Sequence, residues 1–215
     1  MDAEPWLTET RSTYDKLAAD YADFVRELLS STPFERAAFA LFADQVRAVG
    51  GGPVADVGCG PGRITAHLAS LGLEAFGIDL SPAMIEVARR EHPGLRFEVG
   101  SMTDLKLPDR SVSGLVAWYS TIHIPDAAMA GVLDQFRRVI RPSGSLLLGF
   151  HAGTGSTLRT SGLGGHKIHV QLHRREPEPM AAWLAESRFT IDAYMRLRSA
   201  ESPDGVVMFA HRPGD

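Results

Sequence analysis

The fold of this chain is decided by ten residues, VADVGCGPGR at positions 54–63. Their first four positions form a short, mostly apolar run of the kind that becomes a buried parallel strand, and glycines follow at positions 58, 60 and 62. Glycine allows a tight turn and a close approach of the backbone to a ligand. Helical spacing resumes near Arg63, so the free N–H groups of that helix would point at whatever lies above the turn. The stretch therefore predicts a strand, a glycine turn and a helix, which is how an α/β unit begins.

The spacing of the glycines excludes two common nucleotide-binding loops. The dinucleotide fingerprint needs a glycine where Arg63 stands, and the Walker loop needs Gly-Lys followed by Ser or Thr. Asp56, two residues before the first glycine, disfavours a dianionic phosphate and suits a cationic ligand. A tight connection that binds nothing is the alternative interpretation of the same turn.

A second acid supports the ligand-binding interpretation. Asp79 ends the next apolar run, seventeen positions after Gly62. In doubly wound nucleotide-binding folds, an acid at this place accepts hydrogen bonds from both ribose hydroxyls of an adenosine group. An acid that caps a helix or lies in solvent is the alternative.

Outward from this stretch, strand and helix patterns alternate. The predicted strands are 53–57, 74–78, 95–99, 114–118 and 145–150, and the predicted helices between them are 63–71, 82–90 and 126–140. Ser81 and Pro82 suit the N-cap and the first position of the second of these helices. Two further helices, at about 11–30 and from Pro33 to the glycine break at 50–53, precede the first strand. This alternation predicts an α/β fold with a doubly wound, mostly parallel sheet.

The last third of the chain has a different pattern. Residues 153–165 are rich in Gly, Ser and Thr and predict a mobile loop, whereas 166–173 alternate strictly and predict a half-buried strand. A helix near 179–187 and strands near 190–197 and 206–211 complete the chain. Antiparallel strands at the edge of a parallel sheet are common in mixed sheets.

Composition narrows the classes of function. The chain has 215 residues, of which 44% are hydrophobic and 22% charged, and this excludes intrinsic disorder. Because the formal net charge is −4, no nucleic acid partner is expected. The single cysteine, Cys59, excludes an internal disulfide and a cysteine-cluster metal site. The polar, acidic N-terminus does not resemble a signal peptide, and no apolar run approaches the ~20 residues of a spanning helix, so we expect a soluble, cytoplasmic protein without a membrane partner.

Motifs within residues 10–150 resemble those of class I S-adenosylmethionine-dependent methyltransferases of the small-molecule type. Residues 54–63 resemble their first motif and 77–81 their second. The other similar segments are 100–105 with Leu107-Pro108 (adenine binding), 113–124 (the fourth strand), 133–144 (the helix and turn before the fifth strand) and 14–21 (the tyrosine-bearing N-terminal helix).

The resemblance implies an architecture and a cofactor. It implies a seven-stranded sheet with an antiparallel edge strand, the Rossmann-like methyltransferase fold. It also implies an N-terminal helical cap over residues 1–50 and an S-adenosylmethionine-binding α/β domain over 51–215, in one globular unit, with 151–176 as a loop and strand insertion on the substrate side. S-Adenosyl-L-methionine is the implied cofactor.

Carried over residue by residue, the resemblance assigns the cofactor-binding side chains. Gly58 and Gly60 would line the methionine part, with Asp56 beneath them, and Asp79 would bind the ribose hydroxyls. The remaining assignments are Leu80, Met84, Ser101 and Met102 around the adenine with Asp104 nearby, Tyr14 and Tyr21 closing over the cofactor, and Trp118 and Tyr119 where cofactor and substrate meet. Core packing is the alternative for the two helix tyrosines, and gap filling is the alternative for Met102.

Two histidines are candidate bases. His123 lies just past the fourth strand, where it could take a proton from a methyl acceptor or could orient a loop by hydrogen bonding. His151, at the end of the fifth strand, is the second candidate. His166, His169 and His173 alternate along a predicted strand with no Cys, Asp or Glu between them, so no metal site is predicted.

The sequence thus predicts an S-adenosylmethionine-dependent methyltransferase. It would move a methyl group to an oxygen, nitrogen or carbon of a small-molecule acceptor by in-line displacement, for which alignment and exclusion of water suffice. Two alternatives are a non-methylating or regulatory protein of the same fold that binds the cofactor, and an RNA or protein methyltransferase, which the net charge disfavours. The expected partner is a small molecule, and the expected assembly is a monomer or a homodimer.

Overall fold

The computed structural model of this protein describes residues 4–198 and 203–214. Its helices are α1 (Pro5–Val25), α2 (Pro33–Ala48), α3 (Arg63–Ser70), α4 (Pro82–Glu91), α5 (Asp126–Val139) and α6 (Pro177–Glu186). Its strands are β1 (Pro53–Val57), β2 (Glu74–Asp79), β3 (Arg96–Val99), β4 (Val112–Trp118), β5 (Ile140–His151), β6 (Ser156–Ser161), β7 (Lys167–His173), β8 (Thr190–Leu197) and β9 (Gly205–His211). Short 3₁₀ turns lie at Thr121–His123 and Leu163–Gly165.

Seven strands form one sheet in the order β3-β2-β1-β4-β5-β9-β8. The pairs among the first five are parallel, whereas β9 is antiparallel to both β5 and β8. The predicted doubly wound, mostly parallel sheet with an antiparallel pairing at its edge is confirmed. The last strand of the chain, β9, lies between β5 and the edge strand β8.

The central strands are buried on both faces, as parallel strands covered by helices must be. Every residue of β4 is buried, and its side chains alternate between two core clusters. Leu115 packs with α5 and α6 on one face, and Val116 packs with α2 and α3 on the other. On that second face Phe42 of α2 lies so close to Gly114 that a Cβ there would be 2.8 Å from its ring. Helix α2 is therefore packed directly on the sheet.

The turn after β1 has the conformation that its glycines predicted. Gly58, Gly60 and Gly62 all have positive φ, and a side chain on Gly58 would collide with Ser120. The predicted N-cap is also confirmed, because the Ser81 hydroxyl accepts a hydrogen bond from the Met84 N–H at 3.1 Å. Both features lie at the carboxyl edge of the sheet, where ligands bind in folds of this kind.

The prediction of a loop over 153–165 was wrong in its centre. Residues 156–161 form β6, which pairs antiparallel with β7 in a separate two-stranded sheet. This hairpin packs on α1, where Thr13 donates its hydroxyl to the carbonyl of His169 at 3.2 Å. Ser and Thr are common in loops, but Thr also suits strands, and the partner strand that supplies the hydrogen bonds is not encoded in local composition.

Helix α1 begins earlier than predicted, at Pro5, a residue that suits the first helical turn.

No helix within residues 4–198 and 203–214 combines the length and apolar character needed to cross a membrane.

Replacing Phe42 with Ala should lower the free energy of unfolding by about 3–5 kcal/mol, because the lost ring leaves a cavity between α2 and the sheet. Urea denaturation near neutral pH measures this loss. Phe34→Ala on the same helix is the control, since Phe34 is 68% exposed and Phe42 is fully buried; its effect should stay within about 0.5 kcal/mol. Equal losses in both variants would contradict the packing of α2 on the sheet.

Candidate functional site

A cavity of about 700 Å³ lies between α1 and the carboxyl ends of β1, β2 and β4. Most of the predicted site residues line it: Tyr14, Tyr21, Gly58, Gly60, Asp79, Leu80, Ser101, Met102, Trp118, Tyr119 and His123. The structure thus brings together residues that are more than one hundred positions apart in the chain.

The Asp79 carboxylate ties the glycine turn to the end of β2. One oxygen accepts the N–H of Gly60 and the other accepts the N–H of Ser81, each at 2.8 Å. Burial raises the pKa of Asp79 to about 6, although these two N–H groups favour the ionised form. Since a carboxylate has about four acceptor positions, Asp79 can accept further hydrogen bonds from a ligand in the cavity.

A second cavity of about 340 Å³ adjoins the first and shares Tyr21, Gly58, Gly60 and Trp118 with it. Asp56, at the end of β1, lines this second cavity instead of the first. Its Oδ2 accepts the Thr65 hydroxyl at 2.7 Å, and its Oδ1 is buried without a hydrogen-bond partner among the described residues. Burial raises the pKa of Asp56 to about 7.

Arg63 lines the same second cavity, and its Nη1 is likewise buried without a partner in the described part of the chain. A buried acid and a guanidinium, each with an unused hydrogen-bonding atom, suit a ligand that carries both a positive and a negative group. Sequence reasoning used Arg63 to mark a helix start, to exclude a dinucleotide motif and as part of the first resembling motif, but assigned its side chain no binding role. Its position directly after the glycine turn was the available signal for a binding role.

Tyr14 and His123 form a hydrogen-bonded pair in the first cavity. The Tyr14 hydroxyl lies 2.7 Å from Nε2 of His123, and Nδ1 lies 3.1 Å from the Gln171 carbonyl. Because a carbonyl only accepts, Nδ1 carries the proton and Nε2 accepts the Tyr14 hydroxyl. Burial lowers the pKa of His123 to about 4, so the ring is neutral at physiological pH. A neutral imidazole with this tautomer can receive a proton only through Tyr14.

The other helix tyrosine completes an aromatic wall. Tyr21 packs edge-to-face against Tyr14, with ring centroids 5.7 Å apart, and both line the cavity. The first two turns of α1 add lining residues that sequence reasoning missed: Trp6, Leu7, Thr10 and Arg11. The first three were missed because the helix was predicted to begin at about residue 11, although Pro5 was a visible helix-start signal.

Two predicted site residues do not line either cavity. Met84 is fully buried between α1 and α4, where it packs with Ala18, Ala22 and Val87. His151 lies beside Tyr119, with ring centroids 4.9 Å apart, and burial lowers its pKa. Position in the sequence correctly placed both residues near the carboxyl edge of the sheet. Whether a side chain faces a cavity, however, depends on its packing.

No group of three or more His, Cys, Asp or Glu side chains suited to a metal ion occurs within residues 4–198 and 203–214. His166 contacts Asp20 at 3.0 Å and His169 contacts Glu9 at 3.1 Å. Both pairs join the β6–β7 hairpin to α1.

Replacing Asp56 with Asn should stabilise the protein at about pH 8.5 and have less effect at about pH 5.5. The folded-state pKa of Asp56 is raised from 3.8 to about 7, so its favourable contribution is lost as the pH rises through about 7. Asn avoids the cost of the buried charge and still accepts the Thr65 hydroxyl. Urea midpoints at both pH values measure the difference between the variant and the wild type.

Asp109→Asn is the control for this experiment, because Asp109 is exposed beside Arg138 and its replacement should have the same small effect at both pH values. A destabilised Asp56→Asn variant at about pH 8.5 would contradict a buried acid that is costly to ionise.

Known proteins match the part of the chain that contains the glycine turn. Residues 54–144 match the sequence family described as a methyltransferase domain. The demethylmenaquinone methyltransferase of Chlorobaculum parvum is 29% identical over 138 residues, which make up 62% of this chain and 56% of that protein. The matched part of the chain thus spans about half the length of that curated relative.

Two solved structures share the fold over almost the whole chain. The 1,6-didemethyltoxoflavin-N1-methyltransferase of Burkholderia thailandensis, with bound 1,6-didemethyltoxoflavin and S-adenosylhomocysteine, has a TM-score of 0.73 at 20% identity and covers 99% of this chain and 92% of its own. The DhpI–SAH complex has a TM-score of 0.76 at 21% identity and covers 99% of each chain. At these identities, the likeness establishes the fold. Residues 54–144 thus match a methyltransferase domain, and the chain shares its fold with S-adenosylmethionine-dependent methyltransferases.

Proposed function

We propose that this protein binds S-adenosylmethionine and transfers its methyl group to a small molecule. The observation that carries the proposal is the pair of adjoining cavities on the two sides of the glycine turn. One contains Asp79, and the other contains Asp56 and Arg63. Their chemistry matches a ligand with an adenosine at one end and an amino acid at the other.

The first cavity suits the adenosine end. Asp79 would accept the ribose hydroxyls at the acceptor positions that Gly60 and Ser81 leave unused. Leu80 and Met102 line the same cavity and would cover the faces of the adenine with apolar surface.

The second cavity suits the amino-acid end. Arg63 would pair with the carboxylate and Asp56 would accept from the ammonium group, so that both buried, unpartnered atoms gain a hydrogen bond. The shared residues Gly58 and Gly60 carry no side chains that obstruct passage between the two cavities.

Bound in this way, S-adenosylmethionine supplies an electrophilic methyl group on a positively charged sulfur. Tyr14 and His123 would take up the proton that a hydroxyl or N–H acceptor loses. The acceptor proton passes to the Tyr14 oxygen while the Tyr14 proton passes to Nε2 of His123. His123 would then carry the positive charge in place of the cofactor, so the net charge of the site would not change.

Helix α1 and the β6–β7 hairpin would keep water from the reacting atoms. The hairpin also fixes the tautomer of His123 through the Gln171 carbonyl, which supports a substrate-side role for residues 151–176. The named acceptors of the relatives, demethylmenaquinone and 1,6-didemethyltoxoflavin, support a small-molecule acceptor. The net charge of −4 disfavours a nucleic acid.

Wild-type protein should bind S-adenosylhomocysteine and should not bind NAD in isothermal titration calorimetry. Asp79→Ala should weaken binding by about 2–3 kcal/mol, because charge-assisted hydrogen bonds to the ribose are lost. The control is Asp44→Ala, an exposed acid on α2 that pairs with Arg47. Unchanged affinity in the Asp79 variant would remove this carboxylate from the site.

Incubation with methyl-tritiated S-adenosylmethionine and a metabolite extract should move label into a small-molecule product, which mass spectrometry identifies. His123→Ala should lower turnover with that acceptor by about 10²–10⁴-fold and leave S-adenosylhomocysteine affinity almost unchanged, if the acceptor loses a proton. His211→Ala is the control, since His211 pairs with Asp192 on the far strands of the sheet. Cofactor binding without any labelled product would favour a regulatory protein of this fold instead.

A further inference from the structure

The candidate proton acceptor, His123, lies on a turn with weak hydrogen bonds of its own. The 3₁₀ turn Thr121–His123 is three residues long, and the His123 N–H lies 3.5 Å from the Ser120 carbonyl. The Thr121 hydroxyl is buried without a hydrogen-bond partner among residues 4–198 and 203–214. Ser120 fixes the start of the turn, because its hydroxyl donates to the Val57 carbonyl at 2.8 Å. A single 3₁₀ turn is not stable by itself, so its end must be fixed from elsewhere.

Arg175, two residues after β7, contacts the turn with a buried guanidinium. The residue is only 4% exposed. Its Nη1 donates to the Thr121 carbonyl at 3.1 Å, and its Nη2 donates to the Ile124 carbonyl. Its Nε and Nη2 also donate to Oδ1 of Asp126, at 3.0 Å and 2.8 Å. Because the two carbonyls precede and follow His123 in the chain, one guanidinium holds the backbone on both sides of that residue.

The same segment of chain also holds the ring of His123. Gln171 of β7 accepts the Nδ1 proton of the ring, and Arg175 follows four positions later. The Arg175 N–H donates to the carbonyl of His151, at the end of β5, at 3.0 Å. The backbone of Arg175 is therefore fixed to the main sheet, while its side chain reaches the turn after β4.

A contribution to stability alone explains this arginine poorly. Burial lowers the pKa of Arg175, which shows the cost of desolvating its charge, and the side chain of its ion-pair partner Asp126 is 66% exposed. Apolar side chains of similar volume often stabilise a fold as well as a buried ion pair does. A planar guanidinium, however, can donate to two carbonyls and a carboxylate at once, which an ammonium or an apolar group cannot do.

We propose that Arg175 is a positioning residue for His123. Its guanidinium fixes the carbonyls of Thr121 and Ile124, so that the ring keeps Nδ1 towards Gln171 and Nε2 towards the Tyr14 hydroxyl. The inference rests on the proposed function where it makes this orientation useful, because an Nε2 turned away from Tyr14 cannot take its proton.

NMR spectra of the protein labelled with ¹⁵N-histidine test the proposal, since they show which ring nitrogen carries the proton. The His123→Gln variant identifies the His123 signals among those of the eight histidines. In the wild type without ligand, His123 should remain a neutral Nδ1–H tautomer from about pH 5.5 to about pH 8, because its pKa is lowered to about 4. Arg175→Met should give a mixture of both tautomers.

The same variant should raise the pKa of His123 by about 1 unit or more. Burial is the larger cause of the low pKa, and the hydrogen bond to Gln171 opposes it, so a loosened turn that admits water moves the pKa upward. His151 of β5 and His173 of β7 lower the pKa further when they are charged, and Tyr14 of α1 faces Nε2.

Arg175→Lys separates the positive charge from the two carbonyl bonds. An ammonium keeps the charge near the turn but cannot bridge both carbonyls and Asp126, so this variant should also lose the single tautomer. It also decides the question if the methionine variant does not fold. A lysine variant with the wild-type tautomer would assign any effect of Arg175→Met to charge and contradict the proposed role of the carbonyl bonds.

Arg212→Met is the matched control for loss of a buried arginine. Arg212 is 5% exposed, and its Nη1 donates to the carbonyls of Arg137 and Ile140, both at 2.9 Å. Ile140 begins β5, so this arginine lies at the opposite end of that strand from His151. Both methionine variants should lower the melting temperature, but Arg212→Met should leave the tautomer and the pKa of His123 unchanged.

Two results would overturn the inference and leave the proposed function intact: both Arg175 variants keep the single Nδ1–H tautomer, or Arg212→Met changes it as much as Arg175→Met does. Titration calorimetry with S-adenosylhomocysteine is the separate measurement of the proposed function, and there Arg175→Lys should bind like the wild type. Failure of the wild type to bind would refute the proposed function, whereas the tautomer of His123 is measured without any ligand.

Discussion

The site depends on one partly buried carboxylate, that of Asp79. Its two oxygens accept backbone N–H groups from Gly60 and Ser81, and these bonds fix the glycine turn relative to the start of α4. Burying a carboxylate is unfavourable unless hydrogen bonds compensate, and two N–H groups provide only part of that compensation. The same desolvation that raises the pKa of Asp79 therefore leaves an acceptor ready for a ligand's hydroxyl groups.

Helix α1 forms the roof of the first cavity because it contacts three separate elements. Asp15 accepts the Ser81 hydroxyl at the start of α4, at 2.6 Å. Tyr14 donates to His123 after β4, and Thr13 donates to the β7 backbone at His169. Three consecutive residues of one helix thus connect the cofactor side, the candidate proton acceptor and the hairpin. Because all three contacts come from one helix, α1 covers the cavity on the side away from the sheet.

The two cavities differ in their lining residues. The smaller one contains Asp56 and Arg63, whose unpartnered atoms suit a ligand with opposite charges. The larger one contains Asp79 and Arg11 together with Tyr14, His123 and Tyr119, which are neutral at physiological pH because burial raises the pKa of both tyrosines and lowers that of His123. Both cavities therefore contain charged groups, and the larger one adds neutral aromatic surface.

The sequence by itself determined the sheet, the glycine turn, the acid at the end of β2 and the N-cap of α4. These are local features, because strand and helix periodicity, glycine conformation and capping each depend on residues a few positions apart. Tertiary structure decided which side chains face the cavities. Met84 turned inward against α1, and residues 156–161 became a strand only because β7 lies beside them.

Contacts between distant parts of the chain also decided the chemistry of the site. His123 was a candidate base from its position, but its tautomer is set by Gln171 and its proton partner is Tyr14, which lie 48 and 109 positions away. Arg63 gained a role only when the fold placed it in one cavity with Asp56. Periodicity is a property of neighbouring residues, whereas hydrogen bonding and desolvation depend on whatever the fold brings within a few ångströms, and only the tertiary structure specifies that.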